Sequence, residues 1–162
     1  RFKDIFQEVY EKDFAPAYER LTQYVLPGGL MIEGTSNPFG SLWVANVVRK
    51  EEPFDSAQGK RGKKDAWKFE ALVFSTNFRL GFEVDEFQTI LPKNYIHRMV
   101  KGEPIYDFFE AWKKSAAETS AAKVYGPRQW FIAAAEALAA KGYRVNLLRK
   151  WLSRGWLIWQ VG

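Results

Sequence analysis

The residues of this chain that could perform chemistry are few, and they form no familiar catalytic arrangement. His97 is the single histidine among 162 residues, and there is no cysteine. One imidazole cannot build a two-histidine metal site, and no serine stands in a nucleophile-elbow context such as GxSxG. The lack of cysteine also excludes disulfides, thiolate metal sites and cysteine nucleophiles. The sequence therefore predicts a noncatalytic protein without a cofactor.

The acidic residues Glu83, Asp85 and Glu86 are the remaining candidates for an active site. Paired carboxylates can hold a divalent metal or share general acid and base work. However, Glu83 and Asp85 alternate with the apolar Phe82 and Val84, as residues on the solvated face of a strand do. The preferred interpretation is that these carboxylates lie on the protein surface. A metal-dependent enzyme is a third hypothesis, ranked after the two binding functions described below.

Positive charge is concentrated in the C-terminal part of the chain. The net charge is +5, but residues 1–90 carry 12 basic and 14 acidic side chains, whereas residues 91–162 carry 12 basic and 5 acidic ones. Near the end, only Glu136 accompanies a series of cations: Lys123, Arg128, Lys141, Arg144, Arg149, Lys150 and Arg154. Such a charge distribution favours an anionic partner such as nucleic acid.

A basic helix is predicted over Val145–Arg154, where Val145, Leu148 and Leu152 have the spacing of a buried stripe. Its opposite face carries residue types that contact phosphates and base edges: Asn146, Arg149, Lys150 and Ser153. The predicted nucleic-acid contacts are these four together with Arg128, Lys141, Arg144 and Arg154. The order of helix, Gly142 turn, basic helix, Gly155 and aromatic strand resembles the second half of a winged-helix module. That resemblance implies a last helix that enters the major groove.

Three tryptophans near the C-terminus, Trp151, Trp156 and Trp159, support a second hypothesis. In a strand over Trp156–Val161, alternate side chains face opposite ways, so at least one of these rings is expected near the surface. Trp156 and Trp159 are the predicted partner-binding residues. The first hypothesis is thus a noncatalytic module that binds DNA or RNA, and the alternative is a protein-interaction subunit of a larger complex, such as a nucleoprotein assembly.

The elements that position these residues predict an α+β fold. The N-terminal half has helical spacing over Phe2–Leu26, with a break at Pro16, followed by strands at Leu30–Ile32 and Ser41–Arg49 around a turn at Asn37–Gly40. Two further runs, Ala66–Phe74 and the alternating Phe78–Asp85, predict an antiparallel hairpin.

The C-terminal third predicts three helices before its terminal strand. The first two are Glu103–Tyr125, with Pro104 at its start, and Arg128–Lys141, closed by Gly142. We therefore expect a single domain over residues 1–162, with a helix and an antiparallel meander of about four to five strands in 1–92 and a basic helical part in 93–162.

The polar stretch 51–65 is predicted to be an inserted loop. Within it, Pro53–Lys60 resembles a translated interspersed repeat that occurs inside unrelated bacterial proteins, cyanobacterial ones among them. The resemblance implies an insertion tolerated at a hairpin tip, away from the functional centre. The loop cations Lys60, Arg61, Lys63 and Lys64 add nonspecific phosphate contacts at most.

The predicted location in the cell depends on two features that are absent from the sequence. No apolar run is long enough to span a bilayer, and no cysteine is present, which together predict a cytoplasmic protein. Because the chain begins at Arg1 rather than a methionine, we expect it to be a trimmed piece of a longer protein.

Overall fold

The described part of the chain is an α+β fold with one antiparallel sheet. A computed structural model describes residues 15–51 and 67–160. Its elements, in chain order, are α1 (Ala15–Thr22), β1 (Leu30–Ser36), β2 (Leu42–Lys50), β3 (Trp67–Thr76), α2 (Val84–Gln88), α3 (Lys93–Ile96), α4 (Pro104–Glu118), a 3-10 helix (Ser120–Tyr125), α5 (Pro127–Ala140), α6 (Arg149–Leu152) and β4 (Trp156–Gln160). The strands lie in the order β1-β2-β3-β4. The predicted fold class is confirmed.

The turn between β1 and β2 is built by Asn37. Its Oδ1 accepts hydrogen bonds from the backbone N–H groups of Ser41, at 2.9 Å, and Leu42, at 3.3 Å, while its Nδ2 donates to Ser41 Oγ. Gly40 has a φ of 62°, a conformation that glycine adopts without strain. The predicted turn at Asn37–Gly40 is confirmed, and β1 extends four residues beyond the predicted end at Ile32.

The described residues divide into two compact units, and β1, β2 and β3 contribute to both. The first unit holds the described residues of 1–33 and 46–71. Here the buried Lys50 donates from Nζ to the carbonyl oxygens of Thr22, at 2.6 Å, and Val25, at 3.0 Å. Trp67 Nε1 donates to Thr22 Oγ1 at 3.0 Å. The lysine thus adds hydrogen bonds to carbonyl groups at the end of α1 and just after it.

The second unit, residues 34–45 and 72–160, has an aromatic core. Phe74 on β3 lies 5.3–5.9 Å, centroid to centroid, from the rings of Phe87, Phe108, Phe109 and Trp112. All five side chains are fully buried. Three of them come from α4, whose N-terminal proline was read correctly from sequence. Rings of this size supply much of the apolar area that this unit buries.

The strand predicted over Phe78–Asp85 is wrong. This segment is a loop that leads into α2, and Phe78 and Gly81 have positive φ values of 63° and 86°. Leu80, which an amphipathic strand would bury, is 57% exposed. Phe82 instead reaches the core from the loop, with its ring 4.8 Å from that of Trp130. The strand that follows β3 in the sheet is β4, from the other end of the unit.

The first two helices predicted for the C-terminal part lie where they were predicted, to within one residue at each end. Helix α4 continues as the 3-10 helix up to Tyr125, and α5 ends just before Gly142, whose φ is 93°. The helix predicted over Val145–Arg154 is mostly wrong, because only α6, a single turn of four residues, is helical there. Its first residues pair with β4 instead, through an antiparallel bridge between Val145 and Trp159.

Other predictions fall partly or wholly outside the described residues. The N-terminal helix is confirmed over α1, whereas residues 2–14 of that prediction lie outside. So do the inserted loop at 52–65 and its cations Lys60, Arg61, Lys63 and Lys64. Within residues 15–51 and 67–160, no helix is long and apolar enough to cross a membrane. The single domain over residues 1–162 stays a prediction.

Candidate nucleic-acid interface

Three tryptophans from β2, α6 and β4 form a contiguous group, called here the tryptophan cluster. The indoles of Trp151 and Trp156 are stacked, with centroids 5.2 Å apart and planes inclined by 6°. Trp43 meets Trp156 edge-on at 5.5 Å. Because β3 lies between β2 and β4, this last contact reaches across the intervening strand. All three side chains are half-buried, so each is held by packing while part of it stays accessible.

The position of the tryptophan cluster depends on the tight connection between α6 and β4. Gly155, which joins them, donates its N–H to Leu152 O, and its carbonyl accepts a 2.9 Å hydrogen bond from Thr76 N at the end of β3. A Cβ atom on Gly155 would lie 1.9 Å from Thr76 O, closer than any contact that a side chain tolerates. The glycine therefore lets β4 approach β3 closely enough to place Trp156 beside Trp43.

The other edge of β4 is covered by the segment before α6. Gln160 N donates to Arg144 O at 2.8 Å, and Asn146 N donates to Ile158 O at 2.9 Å. The Oδ1 of Asn146 accepts from Leu148 N, which turns the chain into α6. These bonds fix α6 against the end of the sheet. The Asn146 side chain, which was predicted to contact base edges, thus forms a hydrogen bond within the protein.

Three cations lie on and just after α6, next to Trp151 and Trp156 in the sequence. Arg149, Lys150 and Arg154 are exposed. Lys150 Nζ lies 5.0 Å from the ring centre of Trp151, over its face, where a cation is attracted by the ring quadrupole. With the residues that the structure describes, Arg149 and Arg154 form no side-chain hydrogen bond or ion pair. Their charges are therefore uncompensated and accessible to an anion.

Two of the other predicted contact residues are engaged within the protein. Lys141 forms an ion pair with Glu118, and the hydrogen bond from Lys141 lowers the pKa of that carboxyl group. Arg128 lies over the ring of Phe78, 5.4 Å from its centre. Both cations still contribute to the positive field, but they are less free to contact a ligand than Arg149 and Arg154.

The remaining predicted residues differ in accessibility. Ser153 caps α6 through its backbone N–H, which donates to Arg149 O, and Arg144 is exposed beside β4. The alternation predicted for β4 is confirmed, since Trp159 is buried and stacks on Phe108 at 4.1 Å while Trp156 is half-buried. Of the two predicted partner-binding tryptophans, Trp156 is thus the accessible one.

Trp43 belongs to the tryptophan cluster but was not predicted as a site residue. The sequence signal that could have found it is its position in β2 between the buried Leu42 and Val44. Alternation then places its ring on the opposite face of the strand. Its partner on β4 could not be deduced, because the two strands are separated by about 110 residues of chain.

Of the acidic residues considered for an alternative metal site, Asp85 is paired with a lysine. Asp85 on α2 forms a 2.6 Å ion pair with Lys113 of α4. Burial acts to lower the pKa of the lysine, but the hydrogen bonds and charges of Asp85 and Glu110 together outweigh it and raise that pKa. Across residues 15–51 and 67–160, no three histidine or acidic side chains are grouped to hold a metal ion. His97 is exposed at the end of α3.

Fold and site together describe an α+β protein that presents half-buried tryptophans beside free cations. Comparison of the chain with protein-family models, with curated proteins and with solved structures finds no match. Function is therefore argued from the geometry of the site.

Proposed function

We propose that this chain is a noncatalytic module that binds single-stranded nucleic acid through the tryptophan cluster and the cations near α6. The observation that carries the proposal is the pair of stacked, half-buried indoles with Lys150 over the ring of Trp151 and the exposed Arg149 and Arg154 close by in the sequence. Base stacking on aromatic rings combined with phosphate contacts by cations is how proteins hold single strands without sequence preference.

A single-stranded ligand fits this surface better than a duplex does. A recognition helix in the major groove presents several residues along successive turns, whereas α6 has only four residues. The faces of duplex bases are also covered by their neighbours, and they become available to an indole only when the strand is unpaired. The winged-helix resemblance of the sequence is thus a weaker guide to the ligand than the tryptophan cluster.

The distribution of charge supports the same ligand. Arg149, Lys150 and Arg154 lie within six residues of one another, and the cluster tryptophans 151 and 156 lie among and beside them. Because Trp156 stacks on Trp151 and Lys150 Nζ lies over the same ring, a base that stacks on Trp151 displaces the lysine, and the strand then places its phosphates near these cations. The electrostatic part of such binding weakens as salt displaces the phosphate contacts.

Fluorescence anisotropy of labelled 12-nucleotide strands tests the proposal. Single-stranded DNA and RNA and the matching duplexes are titrated at 50 and 200 mM salt. We expect the single strands to bind more tightly than the duplexes, and the Arg149→Glu/Lys150→Glu variant to bind neither. Lys93→Glu/Lys68→Glu, which reverses two exposed charges elsewhere, is the matched control. Failure of every single strand to bind at 50 mM salt would overturn the proposal.

A protein partner is the second candidate function, and the exposed leucines before α6 favour it. Leu147 is 46% exposed and Leu148 is 53% exposed, and they adjoin the tryptophan cluster in the chain. Apolar side chains next to an accessible tryptophan are typical of the centre of a protein interface. This function predicts binding that depends on Leu148 and Trp156 and is insensitive to salt. A pull-down from a lysate of the source cells, at 50 and 500 mM salt, distinguishes a protein partner from nucleic-acid binding. Leu148→Ser is the comparison variant.

A further inference from the structure

An open cavity of about 490 Å³ lies between α5, the 3-10 helix and α6. Four of its lining residues, Gln129, Ile132, Ala133 and Glu136, follow the spacing i, i+3, i+4 and i+7, and therefore share one face of α5. Ala122 and Tyr125 of the 3-10 helix and Arg149 of α6 complete the lining. Its volume falls in the range of about 300–1,000 Å³ that is usual for small-molecule sites.

The lining combines an apolar floor with polar groups that have no internal partner. Ile132, Ala122 and Ala133 supply the apolar surface, and Tyr125 adds an aromatic ring that is 78% exposed. Gln129 and Glu136 are also exposed, and with the described residues their side chains form no hydrogen bond or ion pair. The cavity therefore offers a stacking ring, an amide and a carboxylate to a flat polar ligand.

Arg149 connects this cavity to the proposed nucleic-acid surface. It lines the cavity, and the next two residues, Lys150 and Trp151, belong to the surface around the tryptophan cluster. A nucleotide whose phosphate contacts Arg149 lies at the edge of the cavity, because Arg149 is part of its lining. We propose that the cavity takes one unpaired base of the bound strand and selects guanine, an inference that rests on the proposed function.

Guanine is the base whose edge matches the lining. It carries two adjacent N–H donors, at N1 and at the N2 amino group, which a single carboxylate can accept together, and beside them the acceptor O6. Glu136 supplies the carboxylate, and the Gln129 amide can donate to O6. Uracil and thymine place acceptor oxygens on both sides of their single N–H, which a carboxylate repels. Tyr125 provides the ring for stacking.

Oligonucleotides that differ at one base test the selection. Labelled U9 is compared with strands in which the central base is guanine or hypoxanthine, and T9 is compared with the same replacements in DNA. We expect guanine to strengthen binding about tenfold over the parent strand, and hypoxanthine, which lacks the N2 amino group, to lose most of that gain. Glu136→Gln should abolish the preference for guanine over the parent base. The matched control is Glu83→Gln, another exposed carboxylate outside the cavity, and it should preserve the preference.

The possible outcomes distinguish failure of the guanine cavity from failure of the proposed single-strand binding. Equal binding of guanine and uracil strands, or an unchanged preference in Glu136→Gln, overturns the guanine cavity while the proposed single-strand binding stands. If the parent strands themselves do not bind at low salt, the proposed function fails and the cavity assignment fails with it.

Discussion

Trp151 and Trp156 lie face to face with their planes inclined by only 6°, although one ring comes from α6 and the other from β4. Gly155 makes this arrangement possible, because its backbone approaches Thr76 more closely than any side chain would allow. The stack also removes rotational freedom from both indoles before any ligand arrives. A preordered platform binds with a smaller entropic cost than mobile rings would.

Replacing Trp156 by alanine should weaken single-strand binding about five- to 150-fold, because stacking of one base on an aromatic ring is worth about 1–3 kcal/mol. The measurement is anisotropy at 50 mM salt. Tyr24→Ala, which removes an exposed aromatic ring from the other compact unit, should leave the affinity unchanged. Equal effects of the two substitutions would contradict a specific role for the tryptophan cluster.

The salt dependence of binding should correspond to about three phosphate contacts, from Arg149, Lys150 and Arg154. A slope of about −0.7 per contact on a log–log plot gives a total near −2 for a single strand, so a fourfold rise in salt should weaken binding roughly 20-fold. Arg154→Gln should make the slope shallower by one contact. Lys141→Gln should change it less, since Lys141 is paired with Glu118. A slope near zero would favour the protein-partner function.

Gly155→Ala should destabilise the protein by more than about 3 kcal/mol, since the added Cβ collides with Thr76 O and the φ of 79° is unfavourable. Gly142→Ala is the matched control. Its φ of 93° is also positive, but a Cβ there meets nothing within 4 Å, so the expected cost is about 1–2 kcal/mol. Urea unfolding measures both. If both variants lost a similar amount of unfolding free energy, the close approach of Gly155 to Thr76 O would not be what constrains the turn.

The ion pair between Glu118 and Lys141 should make a pH-dependent contribution to stability. The hydrogen bond from Lys141 lowers the pKa of Glu118 in the folded state, so the stabilisation is present above the unfolded pKa of about 4.3 and is lost as pH falls through the lower folded value. Glu118→Gln should therefore reduce the free energy of unfolding at pH 7 but not near pH 2. A reduction of the same size at both pH values would mean that the carboxylate charge does not stabilise the fold.

The sequence predicted the elements that carry strong local signals. Pro104 at the start of α4 and Gly142 after α5 mark helix ends through backbone geometry alone, and the Asn37–Gly40 turn carries its own side-chain hydrogen bonds. The alternation in Trp156–Gln160 placed Trp156 and Trp159 on opposite faces of the strand, but it did not decide which of them is buried, and Trp159 was wrongly predicted to bind a partner.

Predictions failed where tertiary contacts override the local pattern. Phe78–Asp85 alternates as a strand does, but Phe82 belongs to an aromatic core formed mainly by α4 and α5. The position next to β3 that was predicted for this segment is occupied by β4 instead. Val145 has helical spacing with Leu148 and Leu152, yet it pairs with Trp159 on β4. Both errors come from one long-range event, the return of β4 to β3, which no local pattern encodes. The same event creates the contact between Trp43 and Trp156.

Photo-crosslinking followed by mass spectrometry tests the central claim most directly. A 12-nucleotide strand that contains 4-thiouridine is irradiated with the protein, which is then digested with trypsin. Cleavage after Lys150 and Arg154 places Trp151 and Trp156 in separate peptides, and fragment ions distinguish Trp156 from the buried Trp159. The account predicts adducts on Trp151 or Trp156, and none on Trp159. Adducts confined to residues outside the tryptophan cluster, or the absence of adducts under conditions where the strand is bound, would contradict it.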